Sequence, residues 1–136
     1  MDAIQIIRIE GLPIIKTGDD LAELICSATE KQGTPIKNGD ILVVTHVIVS
    51  RAEGEVANLD EGVPSEFAKS IAKQYDKDPA LVEVVLRESK GIKRMEDGKI
   101  ITETKHGFVC ANSGVDRSNV PGGERIVALL PRDPDN

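Results

Sequence analysis

The stretch Asn112-Ser113-Gly114-Val115-Asp116-Arg117-Ser118-Asn119 gathers one carboxylate, two carboxamides and two hydroxyls into eight residues, between two apolar runs. A lone carboxylate among neutral oxygen donors suits a hard cation such as Mg²⁺, which takes oxygen ligands and fills its shell with water or phosphate. The same composition also builds an ordinary polar connection, with Asn and Asp side chains closing Asx-turns on their own backbone. Two other places can meet an anion. In Glu10-Gly11-Leu12-Pro13-Ile14-Ile15, the N–H groups around Gly11 can approach an anion or a purine ring closely, although the segment is equally a plain turn after a strand. In Ser50-Arg51-Ala52-Glu53-Gly54, Arg51 can hold a phosphate bidentately or pair with Glu53 or Glu55.

Other chemistry finds little support. The chain has no Walker loop, no G-x-G-x-x-G, no Cys-x-x-Cys and no G-x-S-x-G. His46 interrupts an aliphatic run and His106 sits beside Lys105, without ligands at helical spacing, so zinc is not indicated. Cys26 and Cys110 stand apart and read as two buried thiols rather than a disulfide framework. No residue can be assigned as catalytic. The chain carries 17 Lys plus Arg against 23 Asp plus Glu, and its only aromatics are Phe67, Tyr75 and Phe108. That balance argues against a phosphate-backbone clamp, and the scarcity of rings against base stacking, so nucleic acid is dropped as a partner. No apolar run approaches the ~20 residues that span a bilayer, and no leader pattern opens the chain, so the reading is cytoplasmic with no membrane association.

The elements that must position these residues follow from periodicity and turn chemistry. Ile4 to Ile9 reads as a strand stopped by Gly11-Leu12-Pro13. A helix follows Gly18, with Asp19 and Asp20 at its start and Leu21, Leu24, Ile25 and Ala28 on its core face. Ile41 to Ser50 reads as a second strand. Ser65 opens a helix burying Phe67, Ala68, Ile71, Ala72 and Tyr75, and Asp78-Pro79 is an N-cap and N1 pair for another helix to about Glu88. Glu96-Asp97-Gly98-Lys99 predicts a tight hairpin between arms Ile92 to Met95 and Ile100 to Thr104. Phe108 to Ala111 and Ile126 to Leu130 complete the strands. The resulting class is α+β, a mixed or antiparallel sheet with about three helices.

Six strings in order give a more specific reading: Glu10-Gly-Leu-Pro-Ile-Ile15, Gly18-Asp-Asp-Leu-Ala-Glu-Leu-Ile25, Gly39-Asp-Ile-Leu-Val-Val44, Val49-Ser-Arg-Ala-Glu-Gly54, Cys110-Ala-Asn-Ser-Gly-Val-Asp-Arg-Ser-Asn-Val120 and Leu130-Pro-Arg-Asp-Pro-Asp135. Together they closely resemble the coenzyme F-420 γ-glutamyl ligase family. The resemblance implies GTP-dependent joining of L-glutamate to a deazaflavin precursor through an acyl phosphate, with Mg²⁺ or Mn²⁺, in a homodimer. It implies that Asp116 is a metal ligand, that Asn119 contacts nucleotide, and that Leu12, Pro13, Ile14 and Ile15 form a GTP-binding segment. Arg51 stands where the family has a lysine, which keeps the charge but changes the geometry of a phosphate contact. Thr45-His46-Val47 departs from the family's small hydroxyl residues. Members of the family are roughly twice as long as one domain of this size, so residues 1–136 read as an N-terminal portion lacking the C-terminal half. The rival reading is a non-catalytic module that binds nucleotide or metal, or that dimerises.

Overall fold

The computed structural model describes residues 3–118 and 120–134. Its order is α1 (Leu21–Lys31), α2 (His46–Glu53), β1 (Val56–Asn58), α3 (Glu66–Tyr75), α4 (Pro79–Arg87), β2 (Ser89–Glu96), β3 (Lys99–Thr104), β4 (Val109–Ala111), a 3₁₀ turn (Asn112–Gly114) and β5 (Ile126–Ala128). The class is α+β, with four described helices and two antiparallel sheets, β2-β3-β4 and β1-β5. None of the described helices is long and apolar enough to cross a membrane.

Local chemistry explains most boundaries. Asp20 caps α1 by accepting from the Glu23 N–H at 2.9 Å, Ser65 caps α3 by accepting from Ala68, and Asp78 caps α4 by accepting from Ala80 ahead of Pro79. The hairpin turns at Asp97 and Gly98, both at positive φ as a primed turn requires. Its first arm runs longer than the apolar pattern indicated, from Ser89 to Glu96, while the second ends at Thr104 as expected and starts one residue earlier, at Lys99.

The core has two lobes that share α4. Val82 and Val85 pack with Ala68, Ile71 and Ala72 of α3 and Ile100 of β3, while Val84 packs with Leu59, Val127 and Leu129. Val115 touches both lobes, immediately before Asp116.

Four expectations are corrected. Ile4 to Ile9 forms no strand, because among the described residues no neighbour offers it a ladder; the Gln32 side chain holds it instead, between Arg8 O and Glu10 N. Ile41 to Ser50 is not one strand: after Thr45 the chain turns into α2, which buries Val47 and Ser50 and makes a fourth helix. The Ser50 hydroxyl lies 2.8 Å from His46 O and 2.6 Å from Leu129 O, a helical turn on one side and a tertiary contact on the other. Phe67 is exposed, because α3 turns Ala68, Ile71 and Ala72 inward instead. Cys26 is exposed on α1 and Cys110 half-buried, and both are free thiols.

Candidate functional site

Asp116 is held by what precedes it. Asn112, Ser113 and Gly114 all take positive φ, which turns the chain sharply after β4. Buried Ser113 anchors that turn. Its N–H donates to Thr102 Oγ1 at 2.9 Å, the two hydroxyl oxygens lie 2.7 Å apart, and Ser113 Oγ donates to Val85 O at 3.1 Å. A side chain on Gly114 would place its Cβ 2.6 Å from Leu130 Cδ2, so the turn lies hard against the segment that follows β5. Asp116 then exchanges both backbone hydrogen bonds with Ala128, at 2.9 and 2.8 Å.

The Asp116 carboxylate accepts from Ser118 N and Ser118 Oγ, each at 2.7 Å and both on Oδ1. This is an Asx-turn, so the ordinary polar connection is real. It uses one oxygen. Both bonds fall on Oδ1, and among the described residues Oδ2 makes no hydrogen bond. Burial acts to raise the Asp116 pKa, but the two Ser118 bonds and the nearby His46 charge outweigh it and hold the group below its ordinary value. A carboxylate kept ionised with one oxygen to spare fits a cation that takes its remaining ligands from water and phosphate. Among the described residues no cluster of three His, Cys, Asp or Glu side chains joins it. His46 Nε2 is buried without a hydrogen-bond partner.

A separate cavity of about 280 Å³ opens beside β1 and β5, with Ile15, Val56, Val120 and Ile126 among its apolar walls and Lys16 and Arg51 as its cations. Three contacts build it. The Arg51 guanidinium donates to Ile15 O, Gly18 N donates to Ala52 O at 2.8 Å, and Gly54, at φ 76°, lets Thr17 pack where a Cβ would stand only 3.0 Å from its methyl. Val56 and Asp116 flank Ala128 on opposite sides. Two strand spacings place Asp116 ~10 Å from Val56 in the cavity wall.

Of the residues singled out for nucleotide binding, the fold brings Ile14, Ile15 and Arg51 to this one cavity. Leu12 lines a different cleft, and Pro13 is exposed and lines neither. Asn119 lies outside the described residues, although the adjoining Val120 is in the wall. Asp116 is a neighbour of the cavity, not part of its lining. Lys16, Val56 and Ile126 were not singled out; only Lys16, a cation directly after Ile15, carried a local signal.

The loop between Asp116 and β5 is tied down by a second group that sequence reading passed over. Asp78 Oδ2 accepts from both Arg117, at 3.1 Å, and Arg125, and Arg125 Nε also donates to Asp60 at 2.8 Å. Partial burial pushes the Asp78 pKa up, but the Ala80 N–H and Arg125 pull it further down. Nothing local in the sequence marks pairs 39 and 47 residues apart.

The family model for F-420-0:gamma-glutamyl ligase matches residues 10–136. The coenzyme F-420:L-glutamate ligase of Methanothermobacter thermautotrophicus is 48% identical over 132 residues, covering 97% of this chain and 52% of that protein. The ligase of the same name from Methanopyrus kandleri is 48% identical over 138 residues, with 99% and 52% covered. That of Natronomonas pharaonis is 37% identical over 134, with 94% and 50% covered. The chain thus spans about half the length of the curated relatives it matches. With the strings around Ile15, Arg51 and Asp116 all inside the matched region, the chain belongs to the F-420-0:gamma-glutamyl ligase family.

Proposed function

We propose that this chain supplies the nucleotide-facing half of a GTP- and metal-dependent ligase that joins L-glutamate to a deazaflavin coenzyme F-420 precursor. The observation that carries the reading is the convergence of Ile14, Ile15 and Arg51 on one apolar cavity that has a second cation, Lys16, at its wall. Apolar walls suit the faces of a purine ring, and two cations suit the phosphates that follow it. Asp116, ~10 Å from Val56 of that wall across two strand spacings, is within reach of a triphosphate that extends toward it from the cavity.

The chemistry explains why both features are needed. A carboxylate is a poor electrophile until one oxygen becomes a leaving group. Its attack on the γ-phosphorus of GTP forms an acyl–O–P bond and breaks the bond to GDP. The glutamate amine then attacks the acyl carbon, the amide bond forms, phosphate departs and the nitrogen loses a proton. A divalent cation supplies charge neutralisation between the anionic acceptor and the triphosphate. In this chain Asp116 would hold it through Oδ2, Arg51 and Lys16 would hold phosphate, and Ile14 and Ile15 would seat the base.

Calorimetric titration of GTP and ATP, with and without Mn²⁺, tests this reading. GTP should bind more tightly than ATP, and more tightly with Mn²⁺ present. Arg51→Ala should weaken GTP about tenfold or more, the size of one lost charge-assisted contact. Asp116→Asn keeps an oxygen for the Ser118 N–H, so it should lower the urea midpoint only slightly, leaving the fold intact, while abolishing the Mn²⁺ effect. GTP affinity indifferent to both substitutions would remove these residues from the site.

A further inference from the structure

Two apolar segments stand apart from the packed lobes. Residues 3–9 and 41–44 belong to no helix and to no strand pair among the described residues. Exposure alternates along the second: Ile41 and Val43 are 87% and 93% exposed, Leu42 and Val44 48% and 39%. Along the first, Ile4 and Ile6 are 95% and 93% exposed and Ile7 49%, and the segment lines one side of a cleft. A period of two, as in the second segment, is the side-chain pattern of a strand, and Ile4, Ile6, Ile41 and Val43 give an aliphatic outward face that ends at the charged Arg8. Between the segments lies a cleft of about 860 Å³ whose floor includes Ile25 of α1 and Ile48 of α2.

A contiguous aliphatic face of this kind on a water-soluble surface marks a contact site, and backbone without ladder partners is the template on which a further strand adds. We infer that this cleft is the docking site for the polypeptide that makes up the other half of the family's chain, which contributes at least one aliphatic strand laid against residues 3–9 and 41–44. The occupant follows from length. Nearly half of each relative has no counterpart in this chain, while the face left open here lies within the part those relatives share. A polypeptide of that size brings what the cleft lacks: backbone partners for two unpaired segments and apolar side chains for Ile4, Ile6, Ile41 and Val43. The inference rests on family membership and not on the nucleotide reading, which concerns the cavity at Arg51.

Hydrogen exchange on the 136-residue chain, with and without the separately produced second half of the Methanothermobacter thermautotrophicus ligase, tests the inference. Amides of residues 3–9 and 41–44 should exchange quickly in the chain alone and slow at least about tenfold when the half is added, while those of β2 and β3 stay unchanged. Ile6→Lys combined with Val43→Lys should erase the added protection without moving the urea midpoint, since both side chains are already exposed. If the added half does not fold by itself, the comparison is made on a single polypeptide in which it follows this chain directly. No protection in either arrangement overturns the inference. So does protection in the chain alone, whether it rises with concentration, which makes the occupant a second copy, or holds on dilution, which closes the two segments on each other. A chain that binds GTP but gains no protection refutes the docking site and leaves the nucleotide cavity standing.

Discussion

The turn that presents Asp116 is pinned by two hydroxyls, and removing them singly and together measures how firmly. Ser113→Ala takes the donor from Val85 O, one of the last carbonyls of α4 and without a helical partner of its own, and takes the near acceptor from the Thr102 hydroxyl. Both residues are at most 1% exposed, so water cannot replace what is lost. Leaving a buried polar group unsatisfied costs about 1–3 kcal/mol, and that is the expected loss. Thr102→Val, nearly the same shape, orphans the Ser113 N–H and removes the hydrogen that the Ser113 hydroxyl accepts, leaving that hydroxyl its bond to Val85 O, and should cost a similar ~1–3 kcal/mol. The two changes share one hydroxyl–hydroxyl bond at 2.7 Å. The double variant breaks it once, so its loss should fall short of the summed single losses by about 1 kcal/mol, the net worth of one such bond. Equilibrium urea unfolding reads this directly, since ~2 kcal/mol moves the midpoint by about 1 M at an m-value near 2 kcal/mol/M. Losses that add to within about 0.5 kcal/mol, or single losses smaller than that, would refute the reasoning that these hydroxyls fix the turn.

Gly114→Ala should lower the urea midpoint by an amount equivalent to ~1–3 kcal/mol, because the new Cβ meets Leu130 in a backbone already at φ 72°; an unchanged midpoint would show that the turn can shift freely. Asp78 and Asp116 both ionise more readily in the fold than their ordinary value of 3.8. Their contribution is therefore fully present above about pH 4 and is lost as pH falls through the lower folded-state values. Urea midpoints taken from about pH 5 to about pH 3 should fall, and Asp78→Asn, which keeps a capping oxygen but has nothing to titrate, should flatten the decline; an identical slope would exclude Asp78. The chain alone, mixed with GTP, Mn²⁺, L-glutamate and the deazaflavin precursor, should give no glutamylated product by mass spectrometry, because Asp116 by itself leaves a cation without fixed in-line geometry. Robust turnover by the 136 residues would show the site to be complete within them.

Features that depend on neighbouring residues were legible in the sequence. Asp20, Ser65 and Asp78 each cap with their own side chain, and Asp97-Gly98 needs only its own φ angles to turn, so three helices and the hairpin could be placed from local chemistry. Where the deciding contact is distant, the reading failed. His46 to Ser50 looks like strand because Val47, Ile48 and Val49 are aliphatic, yet what helps set the helix there is the Ser50 hydroxyl meeting Leu129 O, 79 residues on. Ile4 to Ile9 has strand composition, but a strand exists only with a partner, and none lies among the described residues. The site divides the same way. Ile15 and Arg51 each drew attention locally, but that one donates to the other's carbonyl is visible only in the fold. The Arg117–Asp78–Arg125 clamp had no local mark at all.

The open cleft and the cavity proposed to take nucleotide are two residues apart. Leu12 lines the first and Ile14 the second, and no glycine separates them along the chain. A partner that orders Leu12 therefore restricts Ile14 as well, and a nucleotide held against Ile14 restricts Leu12. Ordering entropy spent by the first ligand is not spent again by the second, which makes the two events favour each other. Thermodynamic linkage then requires equal factors in both directions: whatever the added half of the ligase does to GTP affinity, saturating GTP must do to the affinity of that half. Titrations in both orders should give the same factor, greater than one. A factor of one would mean that the backbone at Pro13 isolates the two cavities, and that the segment from Glu10 to Ile15 serves them independently.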